Sequence, residues 1–166
     1  MGRPVTASRL HRRVLSLGWS VLTGAVALAP PLASPVAAQP TQPIYVQYDG
    51  YIENDDGSLT LAFGYHNLNQ VDVTIEAGDE NRFLAGGANR NQPTVFQSGR
   101  HRFSCVMVVA ADFDGDLQWE VAFAGHRSTT TAAVLNPLYA LEEGSARLVV
   151  DGVDLASASP GVCLDR

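Results

Sequence analysis

The chain has 166 residues, with seventeen Asp and Glu against eleven basic side chains, all of them arginine, for a formal net charge of −6. All the acids follow Ala38, while Arg3, Arg9, Arg12 and Arg13 precede it, so residues 39–166 hold seven arginines against seventeen acids, a net −10. Such a surface repels phosphate backbones and argues against nucleic acid as a partner.

The N-terminus differs in kind from the rest. A basic head is followed by an apolar run, Val14 to Ala29, and then by "PPLASPVAAQP", where Val36, Ala37 and Ala38 place small residues before Gln39. That order describes a secretory signal peptide over residues 1–38, cut between Ala38 and Gln39. The apolar run is shorter than the ~20 residues a membrane-spanning helix needs, so no stable membrane insertion is expected after cleavage. Arg12-Arg13 leaves Sec and twin-arginine export both open. The expected location is secreted or periplasmic.

After a short linker, residues 39–43, strand signals begin. "IYVQYDGYIE" alternates, with Ile44, Val46, Tyr48 and Ile52 opposite Tyr45, Gln47, Asp49, Tyr51 and Glu53. "SLTLAFGYH" alternates too, with Leu59, Leu61, Phe63 and Tyr65 on one face. Between them "NDDG" (Asn54 to Gly57) supplies an Asp-Gly turn, so the two read as a hairpin. "VDVTIE" (Val71 to Glu76) alternates. "RHRFSCVMVV" sets Phe103, Cys105, Met107 and Val109 on one side, and "LQWEVAFA" turns Leu117, Trp119, Val121 and Phe123 inward. "HRSTTTAAV" is rich in threonine, and "ARLVVDGVDL" reads as a last extended stretch. No segment of helical length shows a 3.6-residue apolar repeat. Six to eight short antiparallel strands over residues 44–166 predict an all-β domain, a single antiparallel β-sandwich of immunoglobulin-like type. A small closed barrel is the alternative.

The run "DFDGDLQWE" (Asp112 to Glu120) imitates a calcium loop. Its glycine is misplaced, Phe123 stands where the closing glutamate belongs, and strands rather than helices flank it. It reads as a solvated hairpin turn, with Asp112, Asp114 and Asp116 as weak calcium candidates only. Cys105 and Cys163 in an exported chain read first as a disulfide that ties down the C-terminal tail. Two separate thiols are the alternative.

The segments "YIENDDGSLTLAFGYHNLN", "NRFLAGGANRNQPTVFQSGRHRFSCVMVV", "LQWEVAFAGH" and "LNPLYAL", from Tyr51 to Leu141, carry a resemblance. They resemble an uncharacterised family of small secreted bacterial β-sandwich proteins. Members show an Asn-x-Asp-Gly turn, a Phe-Gly-Tyr-x-Asn strand end, a Gln-Pro-Thr-x-Phe segment, a Trp strand and an Asn/Asp-Pro-x-Tyr close. These correspond to Asn54 and Gly57; Phe63, Gly64, Tyr65 and Asn67; Gln92 to Phe96; Trp119; and Asn136 to Tyr139. The resemblance implies an exported β-sandwich and supplies no activity, substrate or cofactor. The tail after Leu141, with Cys163, lies outside it.

Catalytic patterns are sparse. His66, His101 and His126 are scattered rather than paired as zinc ligands. No Gly-x-Ser-x-Gly elbow occurs, "AGGANRN" has no following helix to receive a phosphate, and choosing two from Asp49, Glu53, Glu76 and Glu120 as a glycosidase pair is arbitrary. No enzyme activity and no cofactor are expected. Two stretches suit binding instead. The polar face of the first strand offers Tyr45 and Tyr51, flat amphipathic side chains that bury area at low entropic cost. The loop "RNQPTVF" offers Arg90 and Gln92, unless these serve to tie the loop's own backbone. The expectation is a non-enzymatic module of the cell envelope that binds a protein or a glycan. The alternatives are a structural accessory to a secreted partner and a small metal-dependent hydrolase.

Overall fold

The computed structural model describes residues 39–85, 87–152 and 158–164. The expected signal peptide, 1–38, lies outside the described residues. The strands are β1 (Ile44–Glu53), β2 (Leu59–Asn67), β3 (Val73–Thr74), β4 (Asn81–Phe83), β5 (Val95–Phe96), β6 (Gly99–Val109), β7 (Trp119–Phe123) and β8 (His126–Thr129). All ladders between them are antiparallel. They make a first sheet in the order β1-β2-β6, a second in the order β4-β7-β8, and a ribbon β3-β5. A 3-10 turn (Pro137–Tyr139) and one helix, α1 (Glu143–Val150), complete the described elements. The chain is all-β in class, as its alternating pattern predicts.

Local chemistry explains the turns. Between β1 and β2, Gly57 donates its N–H to the Asn54 carbonyl and Asn54 donates to the Ser58 carbonyl, with Gly57 at φ +82°. Asn54 adds side-chain bonds to Ser58 Oγ and Thr60 Oγ1. Between β7 and β8, Ala124 and Gly125 both take positive φ (51° and 77°), which a two-residue hairpin needs to match the strand twist.

The two sheets share one core. Phe63 of β2 meets Phe83 of β4 edge-on at 5.4 Å, and Phe83 and Phe96 both stack on Trp119 of β7. Leu61, Cys105, Met107 and Val121 fill the space beside them. Each such side chain stabilises by roughly 1.5–3 kcal/mol when removed from water. One polar hub sits among these rings. Asn81 is fully buried; its Nδ2 donates to the Ile75 and Pro93 carbonyls and its Oδ1 accepts from Trp119 Nε1 at 2.9 Å. Both donors of this amide, and its oxygen, go to groups that burial would otherwise leave unpaired.

Cys105 and Cys163 form the expected disulfide, with their Cα atoms 4.9 Å apart. The tail runs along the outer edge of β6. Gly161 donates to the Val108 carbonyl, Leu164 to that of Val106, and Cys163 to that of Arg90. The tail thus occupies hydrogen-bonding groups on an edge strand that exposed backbone would offer to other chains.

Three expectations need correction. "ARLVVDGVDL" does not begin as a strand: its Ala146 to Val150 lie in α1, and residues 153–157 lie outside the described residues. Glu143 and Arg147 pair one turn apart, and Val149 is buried against Ala62, Phe103 and Val106. Docking on the sheet outweighs the β-propensity of its valines. "DFDGD" is not a hairpin turn, because β6 and β7 belong to different sheets; the run carries the chain from one to the other. Asp112, Asp114 and Asp116 are exposed there, and Asp114 Oδ1 accepts from the Asp116 amide. The third correction is at β1, where alternation fails at Asp49 and reverses beyond it.

Removing the disulfide by Cys105→Ala together with Cys163→Ala is expected to lower stability by about 4 kcal/mol, the chain-entropy value for a loop of this length. Denaturant unfolding measures the loss, and amide exchange at Gly161 and Leu164 should accelerate in the same variant.

Candidate functional site

The site is built by two bulges that face each other across one glycine. In β1, Tyr48 pairs with Phe63 and Gly50 with Ala62, so Asp49 is an extra residue. In β6, the register slips between Cys105, opposite Phe63, and His101, opposite Tyr65. Gly64 of β2 therefore faces the looped-out Arg102 to Ser104, and Phe103 takes φ +57°. A left-handed φ on a bulky residue costs on the order of 1–3 kcal/mol and persists only where its surroundings hold it.

Asp49 is part of what holds it. Its side chain is 3% exposed, and Oδ2 accepts the Phe103 N–H at 2.8 Å. Oδ1 faces Arg102 Nε at 3.4 Å and Arg100 Nη2 at 3.7 Å. The carboxylate lies over Gly64, where an added Cβ would collide with it and with the backbone of His101 and Arg102. Burial raises the Asp49 pKa above the ordinary carboxylate value, and the Phe103 amide and the two guanidinium groups offset only part of that rise. The Asp49 bulge also reverses the faces beyond it. Tyr51 turns into the main core, 8% exposed, while Ile52 joins the second apolar cluster under α1.

The outer face of the first sheet is thus divided. Helix α1 covers the half that bears Ala62, Phe103 and Val106. On the other half, register places Tyr45, His66 and Arg100 in one cross-strand row, with Gln47 beside Gly64 in the next. Tyr45 is 44% exposed, and the side chains of Arg100 and Arg102 are about half exposed. Among the described residues, the Tyr45 hydroxyl, the Gln47 amide and the His66 ring make no hydrogen bond within the protein. A groove of about 330 Å³ adjoins this row, lined by Gln47, Arg100, Thr129, Thr130, Thr131 and Tyr139, with Tyr48 also at its wall. The Tyr48 hydroxyl is buried without a partner, and burial, followed by Tyr51 and Tyr139, pushes its pKa upward.

The residues singled out from sequence are not gathered at one place. Tyr45 stands on this face; Tyr51 does not, for the reason given. Arg90 and Gln92 tie their own loop. Arg90 donates from Nη1 to the Gly161 carbonyl and from Nη2 to that of Ala85. Gln92 is buried, accepts from the Arg90 amide and donates to the Asn81 and Ala88 carbonyls. His101 lies on Tyr65, ring to ring at 5.0 Å, and His126 opens β8. Among the described residues no three His, Cys, Asp or Glu converge as a metal site. Glu120 sits on the second sheet between Arg82 and Arg127; burial raises its pKa, and the two arginines more than reverse this. It shares no site with Asp49, whose guanidinium partners are Arg100 and Arg102. What sequence reasoning missed is Asp49 with Arg100 and Arg102. The signal was there in Gly50 and in an acid on an otherwise regular strand, both common at bulges.

A larger cavity, about 540 Å³, lies between the β1–β2 turn and α1, floored by Ile52, Val108, Ala146 and Val150. Its rim groups are largely engaged: Asp56 accepts from the Ser58 amide and hydroxyl, Asn54 bonds Ser58 and Thr60, and Glu143 pairs with Arg147. No family model, no curated protein and no solved structure matches the chain.

Because the folded pKa of Asp49 is raised, protonation of this group is favoured in the folded protein relative to the unfolded chain. Stability from this group is therefore fully present below the unfolded value near 4 and is lost as pH rises through the folded pKa. Asp49→Asn should remove that slope: relative to wild type, the variant gains stability as pH rises from 3 through the pKa of Asp49 and is level above it. Thermal melts of both proteins across pH 3–8 measure this. Gly64→Ala should lower the melting temperature at every pH, since the added methyl meets backbone.

Proposed function

We propose that the protein is an exported, non-enzymatic binding module, an immunoglobulin-like β-sandwich that holds a glycan of the cell envelope on the outer face of β1, β2 and β6. The observation that carries this reading is the open patch of Tyr45 and His66, with Gln47 in the neighbouring row, beside the threonine-lined groove. An exposed ring offers an apolar face to a sugar ring, and an amide without an internal partner offers both a donor and an acceptor to hydroxyl groups. Thr129, Thr131, Tyr139 and Arg100 continue the groove along β1; Thr129 already bonds Glu120 and Thr131 accepts from the Ala133 amide, which leaves the Thr131 hydroxyl proton to donate. A shallow, polar groove suits a ligand that brings its own hydroxyls better than an apolar small molecule, whose sites are enclosed and largely hydrophobic.

The export reading is supported by the order of basic, apolar and small residues at the N-terminus. The disulfide is compatible with an oxidising compartment, and among the described residues no helix is long and apolar enough to cross a membrane. The sandwich reading is supported by two antiparallel sheets that share one aromatic core.

Glycan-array screening of the oxidised, exported protein, followed by titration calorimetry, tests the proposal. Binding to a defined oligosaccharide is expected, and Tyr45→Ala should weaken it about tenfold, the ~1.4 kcal/mol scale of one aromatic contact, without lowering the melting temperature. Failure to bind any oligosaccharide, or unchanged affinity in Tyr45→Ala and Gln47→Ala, would refute the site.

A further inference from the structure

We infer that the glycan bound by this face carries a single carboxylate, as a uronic acid does, and that Arg100 and Arg102 receive it. The inference rests on the glycan reading above and adds the chemistry of the ligand. Two guanidinium groups stand over one carboxylate. Asp49 gives one oxygen to the Phe103 amide at 2.8 Å, which leaves Oδ1 to face both arginines, at 3.4 and 3.7 Å. Charge-assisted N–H···O bonds settle near 2.7–2.9 Å, so neither arginine is saturated by this contact. Each carries five N–H donors, and the contacts to Asp49 run through Nε of Arg102 and Nη2 of Arg100. The patch keeps a surplus positive charge in a chain that is otherwise strongly acidic.

The side chains are also held for reception. Gly64 has no side chain to separate β6 from β1, so Arg100 reaches across the middle strand to Asp49 and to the groove beside Gln47. Arg102 lies on the Phe103 ring, its Cζ 4.4 Å from the centroid. Guanidinium forks fixed in this way match the planar, two-oxygen carboxylate better than a point charge does. The rest of the surface limits the ligand. With seventeen acids against seven arginines in residues 39–166, a polyanion is repelled at its neighbouring charges, whereas a mostly neutral glycan with one acidic sugar meets the local cations alone.

The test uses the oxidised, exported protein and two probe sets: glucuronate- and galacturonate-capped neutral tetrasaccharides, and the same molecules with the carboxyl reduced to the alcohol. The expected result is that a uronate form binds at least tenfold tighter than its reduced counterpart. In Arg100→Gln and Arg102→Gln that preference should fall to within twofold, because affinity for the uronate form drops more than affinity for the reduced form. Arg100→Lys should retain part of the preference, because it keeps the charge and loses the fork. Equal binding of both forms by the wild type overturns the inference and leaves the glycan reading standing. An undiminished preference in both glutamine variants overturns the assignment to these arginines. Binding of neither form overturns the inference, and the array screen then decides the glycan reading separately.

Discussion

The hydrogen bond from the Phe103 amide to the Asp49 carboxylate, made over the bare backbone of Gly64, is the contact on which the outer face of the first sheet depends. It joins the bulges of β1 and β6 across the central strand. A bulge inserts an unpaired residue and re-aims every side chain after it, and two of them at the same level divide each strand into parts with opposite facing. Below the pair, Ile52 and Phe103 turn outward and, with Ala62 and Val106, give Val149 of α1 an apolar seat. Above it, the outer face is polar and open. Helix docking and the candidate binding surface thus have a common origin.

The arrangement carries strain and desolvation together. Phe103 is held in a left-handed conformation, and Asp49 is charged in a place that disfavours charge. Neither is needed to hold two sheets together, since the aromatic core around Trp119, Phe63 and Phe83 does that. Structures keep unfavourable local features where the surroundings over-determine them, and such features concentrate at functional positions. Here the result is a pair of arginines fixed over one buried acid beside a polar groove.

The motif residues Asn54, Gly64, Asn67, Gln92, Trp119 and Asn136 mark a different set of contacts. Asn54 closes the β1–β2 turn, and Gly64 seats Asp49. Asn67 donates to the Val71 and Phe96 carbonyls, Gln92 to those of Asn81 and Ala88, and Asn136 caps the 3-10 turn at Leu138. Trp119 donates its indole N–H to Asn81. These side chains satisfy backbone or buried polar groups in loops that no ladder serves. They hold the scaffold, whereas Tyr45, Gln47 and His66 lie on the open outer face.

How much was legible follows from which forces are local. Alternation in β2, the Asp-Gly turn, the inward face of β7 and the pairing of Cys105 with Cys163 were all readable, because side-chain period, turn geometry and cysteine content are properties of short segments or of composition. The all-β class follows from the same signals. The reversal within β1 was not readable, and with it went the placement of Tyr51, because a bulge is defined by the partner strand and not by the strand that carries it. Helix α1 was not readable either, since its valines favour extended chain until a sheet offers Val149 a seat. Nor were the roles of Arg90 and Gln92 or the grouping of Asp49 with Arg100 and Arg102, residues about fifty positions apart in the chain. Sequence by itself determined the class, the β1–β2 turn and the covalent link; only tertiary structure decided which side chains face outward together, because that depends on register between strands that are distant in the chain.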